Sequence, residues 1–270
     1  MKKPFIALLL LLGAATAPPS SPKGAHSPSP RSEVTIQSDQ PYVQDRYAAM
    51  PGPWSRYLDP SNKVLSDSIL IRKASFPRNT FMRWEFPDHP ATTGVYGYNY
   101  VAYGQYWNLK PPVTVEPRRL KDIKALTFQP SVRTAGDDAD FNVLAEFFTT
   151  RKAGDIDSRT AEIGWLLHAP PATWTYIRSG KQIGTYKDRY GARWLVASHK
   201  DGAAGLYIKF VPKDGSTRLH ARVDALGSIR WLAAKGEIDP SFYFNGVAVG
   251  VEPLKGGGSA TIDRFDVAYR

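Results

Sequence analysis

The chain has 270 residues, 42% of them hydrophobic, a formal charge of +10 and no cysteine. Without cysteine there is no disulfide framework, thiolate nucleophile or cysteine-bound zinc, so any fold rests on its apolar core. The five histidines, His26, His89, His168, His199 and His220, fall at no zinc-ligand spacing, and neither a G-x-S-x-G elbow nor a phosphate-cradling glycine loop occurs, which points away from metal, serine-hydrolase and nucleotide chemistry.

The first segment, Met1 to Ala17, places Lys2 and Lys3 before the apolar run Phe5 to Leu12 and closes on the small residues GAATA, the layout of a secretory signal peptide. It is too short to span a bilayer, and cleavage is expected after Ala15 or Ala17. Its removal takes two lysines and lowers the charge from +10 to +8. The mature chain is therefore expected outside the cytoplasm, extracellular or periplasmic, with no membrane contact. Residues 18–40 are rich in Pro and Ser and poor in apolar side chains, and read as a flexible spacer. The remaining basic residues are scattered in runs no longer than Arg118-Arg119, which reads as a solvated basic surface rather than a nucleic-acid footprint.

From residue 41 to 270 short apolar or alternating runs follow one another: SILIRKASF, TFMRWEF, GVYGYNYVAYGQYW, DFNVLAEFFTT, AEIGWLL, WTYIRSGKQIGTY, ARWLVASHKDGAAGLYIKFV, TRLHARV, NGVAVGVEPL and ATIDRFDVAY. Ser179-Gly180, Asp201-Gly202 and Asp214-Gly215 supply hairpin-type turns between them. About ten to fourteen such strands in one domain predict an all-β sandwich or barrel. One segment breaks the pattern: Val223, Leu226, Ile229, Leu232 and Ala233 recur at helical spacing and Gly236 follows as a stop, predicting one helix packed on the sheets. The acidic run Asp137 to Asp140 reads as a solvated turn, with a calcium loop as the alternative.

Two strands carry an unusual acid. In AEIGWLLHAP, Ile163, Trp165 and Leu167 fall on one face while Glu162, Gly164, Leu166 and His168 fall on the other. In NGVAVGVEPLKGGG, Val247, Val249 and Val251 oppose Ala248, Gly250 and Glu252. Each glutamate stands beside a glycine, as though a groove had been cleared around it. A pair of carboxylates on one face suits glycoside hydrolysis: at about 5 to 5.5 Å separation one attacks the anomeric carbon while the other, kept protonated, serves the leaving oxygen. Seven Trp and fourteen Tyr could supply platforms for sugar rings.

These segments resemble glycoside hydrolase family 12, a family of retaining endo-β-1,4-glucanases and xyloglucanases. EIGWLL is similar to the family's nucleophile strand E-I-M-I-W-L, GVEPLKG to its acid/base strand G-T-E-P-F-x-G, and FNVLAEFF to N-V-A-Y-D-I-W. GKQIGTY, ARWLVAS, LYIKFV, VDALGSIRWL and YGQYWN look like further family segments in the same order, covering the chain from about Tyr98 to Arg270. The resemblance implies a β-jelly roll of two antiparallel sheets with one packed helix and a concave cleft. It implies Glu162 as nucleophile, Glu252 as acid/base and Glu146 as the support of the nucleophile. Trp54, Trp107, Gly164, Leu166 and Leu254 take positions that would line the sugar site. No cofactor or metal is implied, and the expected partner is a β-glucan bound by a monomer.

The departures concern the platform. The family's Met becomes Gly164, its cleft Trp becomes Leu166, its Phe becomes Leu254 and its supporting Asp becomes the longer Glu146, which suggests a roomier cleft suited to xyloglucan or mixed-linkage chains. Two other readings remain open: a non-catalytic glycan-binding sandwich, and a jelly-roll polysaccharide lyase acting on uronates, for which no His-Tyr-Arg grouping is found.

Overall fold

The computed structural model describes residues 32–38, 40–53, 66–91, 94–113, 115–200 and 205–270. The signal segment and most of the spacer lie outside these, as do Trp54 and the Asp201-Gly202 turn. In chain order the first strands are β1 (Glu33–Gln37), β2 (Tyr42–Gln44), β3 (Tyr47–Met50), β4 (Ser66–Arg72), β5 (Thr80–Glu85), β6 (Asn99–Gly104), β7 (Arg118–Arg119) and β8 (Leu126–Gly136). They continue as β9 (Phe141–Thr150), β10 (Arg159–His168), β11 (Lys181–Lys187), β12 (Arg193–His199), β13 (Tyr207–Pro212), β14 (Tyr243–Phe244), β15 (Gly246–Pro253) and β16 (Gly257–Tyr269). A five-stranded sheet runs β1-β4-β5-β16-β8, and a larger sheet runs β11-β12-β13-β10-β9-β15-β6-β3-β2, with β14 paired to β9 and β7 paired to β14. Among the described residues all ladders are antiparallel except β10 with β13.

The two sheets enclose the main core. Trp165 on β10 stacks on Phe210 of β13 with centroids 5.2 Å apart and meets Phe128 of the opposite sheet edge-on at 5.2 Å. Val247, Val249 and Val251 join the same core from β15, so the alternation in both glutamate strands assigns their faces correctly. The predicted helix is α2 (Ala225–Ala234), with Asp224 accepting from the Gly227 amide at its start and Ile229 and Leu232 buried. Gly236 follows at φ 72°, a left-handed stop that glycine takes without strain.

Four sequence readings need correction. Strand β1 lies inside the stretch read as spacer: Ile36 is buried, Val34 packs against the core and the whole strand pairs with β4, which offsets the polarity of Glu33, Thr35 and Gln37. The segment PATWTYIRS is not a strand but a second helix, α1 (Pro171–Ser179). Its aromatic and β-branched residues favour strands, but the proline in its first turn fixes a helical φ and Ile177 buries against the large sheet. Ser179-Gly180 accordingly ends this helix rather than turning a hairpin. TRLHARV runs along β8 without forming a strand of its own, joined to it by isolated bridges at Ser131–His220 and Phe128–Val223 and by the Val132 amide donating to the Leu219 carbonyl. The Asp137–Asp140 run is a turn joining β8 to β9, where Lys255 pairs with Asp140 at 3.2 Å. Among the described residues no helix is long and apolar enough to cross a membrane.

Candidate active site

The three predicted acids lie on adjacent central strands of the large sheet. Glu146 is on β9, Glu162 on β10 to one side of it and Glu252 on β15 to the other. Register brings Gly164 opposite Glu146, Ala248 opposite Glu146 and Glu252 opposite Asn142, so all three acids point away from the sandwich core. That outer face is itself well packed. Tyr98, Tyr100, Tyr106, Leu144, Phe148 and Leu166 form a second apolar cluster on it, and α1 covers part of it through Ile177. Glu146, Glu162 and Glu252 are 1%, 8% and 4% exposed, so each carboxyl is largely stripped of water.

Burial at this level demands partners. Glu146 accepts from Tyr106 Oη at 2.5 Å and from Lys209 Nζ at 2.5 Å. The same Lys209 ammonium donates to Glu162 at 2.9 Å. Lys209 comes from β13, whose parallel pairing with β10 sets it opposite Gly164, and its Nζ also lies 3.8 Å from the centroid of the Tyr207 ring. Glu252 accepts from Asn142 Nδ2 at 3.0 Å, and the Asn142 carbonyl accepts from Thr173 of α1 at 2.6 Å.

The three acids differ in proton affinity. Burial raises Glu252 to about 7, with the negative charge of Glu146 adding to it and Lys209 and the Asn142 bond opposing. Glu162 is also raised, by burial first and the charge of Glu146 second, against the pull of Lys209. Glu146 is lowered: burial works against its ionisation, but the charge of Lys209 and bonds from Glu162, Lys209 and Tyr106 outweigh it. Lys209 is held protonated by the surrounding carboxylates despite its burial. The result is a charge-sorted cluster in which Lys209 and Glu146 form an ion pair and the remaining two carboxyls hold their protons to unusually high pH.

The positions expected to line a sugar site fare differently. Gly164 does not open a groove: a Cβ there would stand 2.6 Å from Lys209 Nζ and 2.9 Å from Lys209 Cδ, so the missing side chain makes room for the lysine. The space at Gly250 is taken by backbone, since a Cβ would come within 2.8 Å of Tyr100 Cα. Leu166 is 1% exposed within the outer apolar cluster, and Leu254 is also buried. Trp107 packs against Tyr106 and Phe148, and the Arg159 guanidinium lies 4.6 Å from its ring centroid, covering one face. Surface hollows of about 760 Å³ beside Trp84 and about 400 Å³ beside Trp174 contain none of the three acids. Among the described residues no group of three or more His, Asp or Glu is arranged to hold a metal ion.

Lys209, Asn142, Tyr106 and Thr173 belong to the site without being marked by the patterns that single out the acids. The lysine does leave a trace, because in LYIKFV it interrupts an apolar run on the face opposite Ile208 and Phe210.

Comparison with known proteins gives no match to any protein-family model and none among curated proteins. Solved structures do match. A family 12 xyloglucanase from Bacillus licheniformis superposes with a TM-score of 0.70 at 18% identity, covering 88% of this chain and 100% of that one. Endoglucanase 3 from Trichoderma harzianum, of the same family, gives 0.70 at 16% identity over 90% of this chain and 100% of its own. The chain has the family 12 glycoside hydrolase fold. An endoglucanase from Rhodothermus marinus adds a TM-score of 0.67 at 17% identity over 88% of this chain and 99% of that one. At these identities the likeness is one of backbone.

Proposed function

We propose that the chain is a secreted, retaining, endo-acting glycoside hydrolase that cleaves β-1,4-glucosidic bonds in β-glucans. The observation that carries this reading is the placement of two nearly buried carboxyls, Glu162 and Glu252, on the same face of one sheet and on either side of Glu146, in a family 12 fold. Glu162 attacks the anomeric carbon and forms a glycosyl ester, while Glu252 gives its proton to the departing sugar oxygen. Glu252 then takes a proton from water, which attacks the same carbon and releases Glu162, so configuration is retained. The raised affinity of Glu252 for its proton suits the first half of this cycle, and an acid with a pKa of about 7 returns readily to the base form needed in the second. Glu146 supports Glu162 through the shared Lys209.

The seating of Lys209 over Gly164 removes the ground for a widened cleft, so preference among unbranched, mixed-linkage and xyloglucan chains is left to a product profile. Glu162→Gln should abolish release of reducing ends while preserving the fold, and NMR of the first product should show the β anomer. Wild-type turnover by Glu162→Gln, or the α anomer first, would overturn the mechanism. One observation favours a second reading, a glycan-binding sandwich without turnover: the Glu162 carboxylate is already engaged by Lys209. Retardation in a glucan-containing gel with no reducing ends released would select it.

A further inference from the structure

Lys209 is fully buried on the face that carries the three acids. An unpaired ammonium at such a position would be driven to lose its charge, so the residue can stay only if its surroundings are built for it. Three features are. Two carboxyl groups meet Nζ at 2.5 and 2.9 Å, the Tyr207 ring lies 3.8 Å beneath it, and the strand next door carries no side chain at Gly164, where even a methyl would press on Nζ and Cδ. Gly164 and Lys209 are register partners, so the vacancy and its occupant are set by the same ladder.

We propose that Lys209 is a positioning residue for glycosyl transfer: its ammonium, seated over Gly164, ties Glu162 to Glu146 and lowers the cost of ionising Glu162 to the anion that attacks. This rests on the hydrolase reading given above. In the first step Glu162 forms its bond to the anomeric carbon, the glycosidic C–O bond breaks, and the leaving oxygen takes the Glu252 proton. Glu162 loses its charge as an ester, and Lys209 keeps Glu146 as its counter-ion, so the ammonium is never left alone. In the second step water bonds to the anomeric carbon and gives its proton to Glu252 as the ester C–O bond breaks. The returning carboxylate regains Lys209, which favours its departure.

The test separates the charge from the turnover. Lys209→Met keeps the length of the side chain and removes the ammonium. With ¹³C-labelled glutamate carboxyls followed by NMR, both titration steps of the Glu146–Glu162 pair should move upward by about one pH unit or more, because an opposite charge in direct contact is lost. On soluble β-glucan the acidic limb of kcat/KM should move upward with them, and kcat below that limb should fall about tenfold for each pH unit the limb moves, with KM little changed. Lys209→Cys alkylated with 2-bromoethylamine in the unfolded state and refolded should restore the limb; the chain has no other thiol to label. Where Lys209→Met fails to fold, Lys209→Gln, which keeps a donor without the charge, takes its place. Unmoved carboxyl titrations overturn the proposal whatever the activity. Hydrolysis by the wild-type chain with an unmoved acidic limb in the variant overturns the role of Lys209 alone. A wild-type chain that hydrolyses no β-glucan overturns the hydrolase reading, and the positioning role falls with it.

Discussion

Glu252→Gln gives a prediction that needs no substrate. The folded-state pKa of Glu252 stands at about 7 against an ordinary value of 4.5, and burial is the main cause. Because the folded value lies above the unfolded one, the favourable contribution of the protonated form is complete below about pH 4.5. It is lost as the pH rises from about 4.5 through about 7, the interval in which the unfolded chain is ionised and the folded one still holds its proton. A gap of about 2.5 pH units corresponds to about 3 kcal/mol. Glutamine has the same shape, can still accept from Asn142 through its carbonyl, and does not titrate. The difference in stability between variant and wild type should therefore shift by about 3 kcal/mol in favour of the variant between pH 4 and pH 8. At about 2 to 4 °C per kcal/mol for a domain of this size, the difference in Tm should change by about 6 to 12 °C. Thermal unfolding of both proteins by circular dichroism at the two pH values measures it. Any constant cost of the amide cancels in the comparison, so an unchanged difference would refute the assignment of a buried, proton-holding Glu252.

Three further outcomes follow from the same geometry. Asn142→Ala removes the bond that favours ionised Glu252, so the basic limb of the kcat/KM profile should move to higher pH; a limb that moves down or stays fixed contradicts Glu252 as the acid. Gly164→Ala should lower stability by about 1 to 3 kcal/mol by pressing on the pinned Lys209, and the loss should shrink when Lys209→Ala is added, a coupling read from a double-mutant cycle of denaturant midpoints. Trp165→Ala, deleting a side chain wedged between Phe128 and Phe210, should cost about 3 to 5 kcal/mol while leaving the pH profile of any residual activity in place.

Period-two alternation is enough to put Trp165 and Val249 in the core and Glu162 and Glu252 on the other face, because a strand side chain has only two directions to choose from. Helical spacing locates α2, whose apolar stripe includes Leu226, Ile229 and Leu232. The partners of the acids are not legible in the same way. Asn142 reaches Glu252 only because β15 pairs with β9 in one register, and the two residues are 110 positions apart in sequence. Lys209 reaches Glu162 through the parallel β10–β13 ladder, which no hairpin rule foretells. Helix α1 is hidden by residues that favour strands, and with it goes the support that Thr173 gives Asn142.

The two glycines show why a missing side chain does not identify its own purpose. Gly250 and Gly164 sit at matching places beside their glutamates, yet the first gives way to the backbone of β6 and the second to a lysine from β13. The second of these changes the charge balance of the site. Three carboxyls and one ammonium share a face nearly closed to water, and the ammonium can neutralise only one anion at close range. Glu146, with the added bond from Tyr106, takes that share. Of the two acids left, Glu162 touches Lys209 but also faces the charge of Glu146, and burial holds its proton well above the usual carboxylate range, whereas Glu252 meets only the neutral amide of Asn142 and is raised to about 7. With the charge of Lys209 matched by Glu146, Glu162 and Glu252 both hold protons at rest, so a two-carboxyl glycosidase mechanism on this face needs Glu162 to ionise before it attacks, and its contact with Lys209 is what lowers that cost.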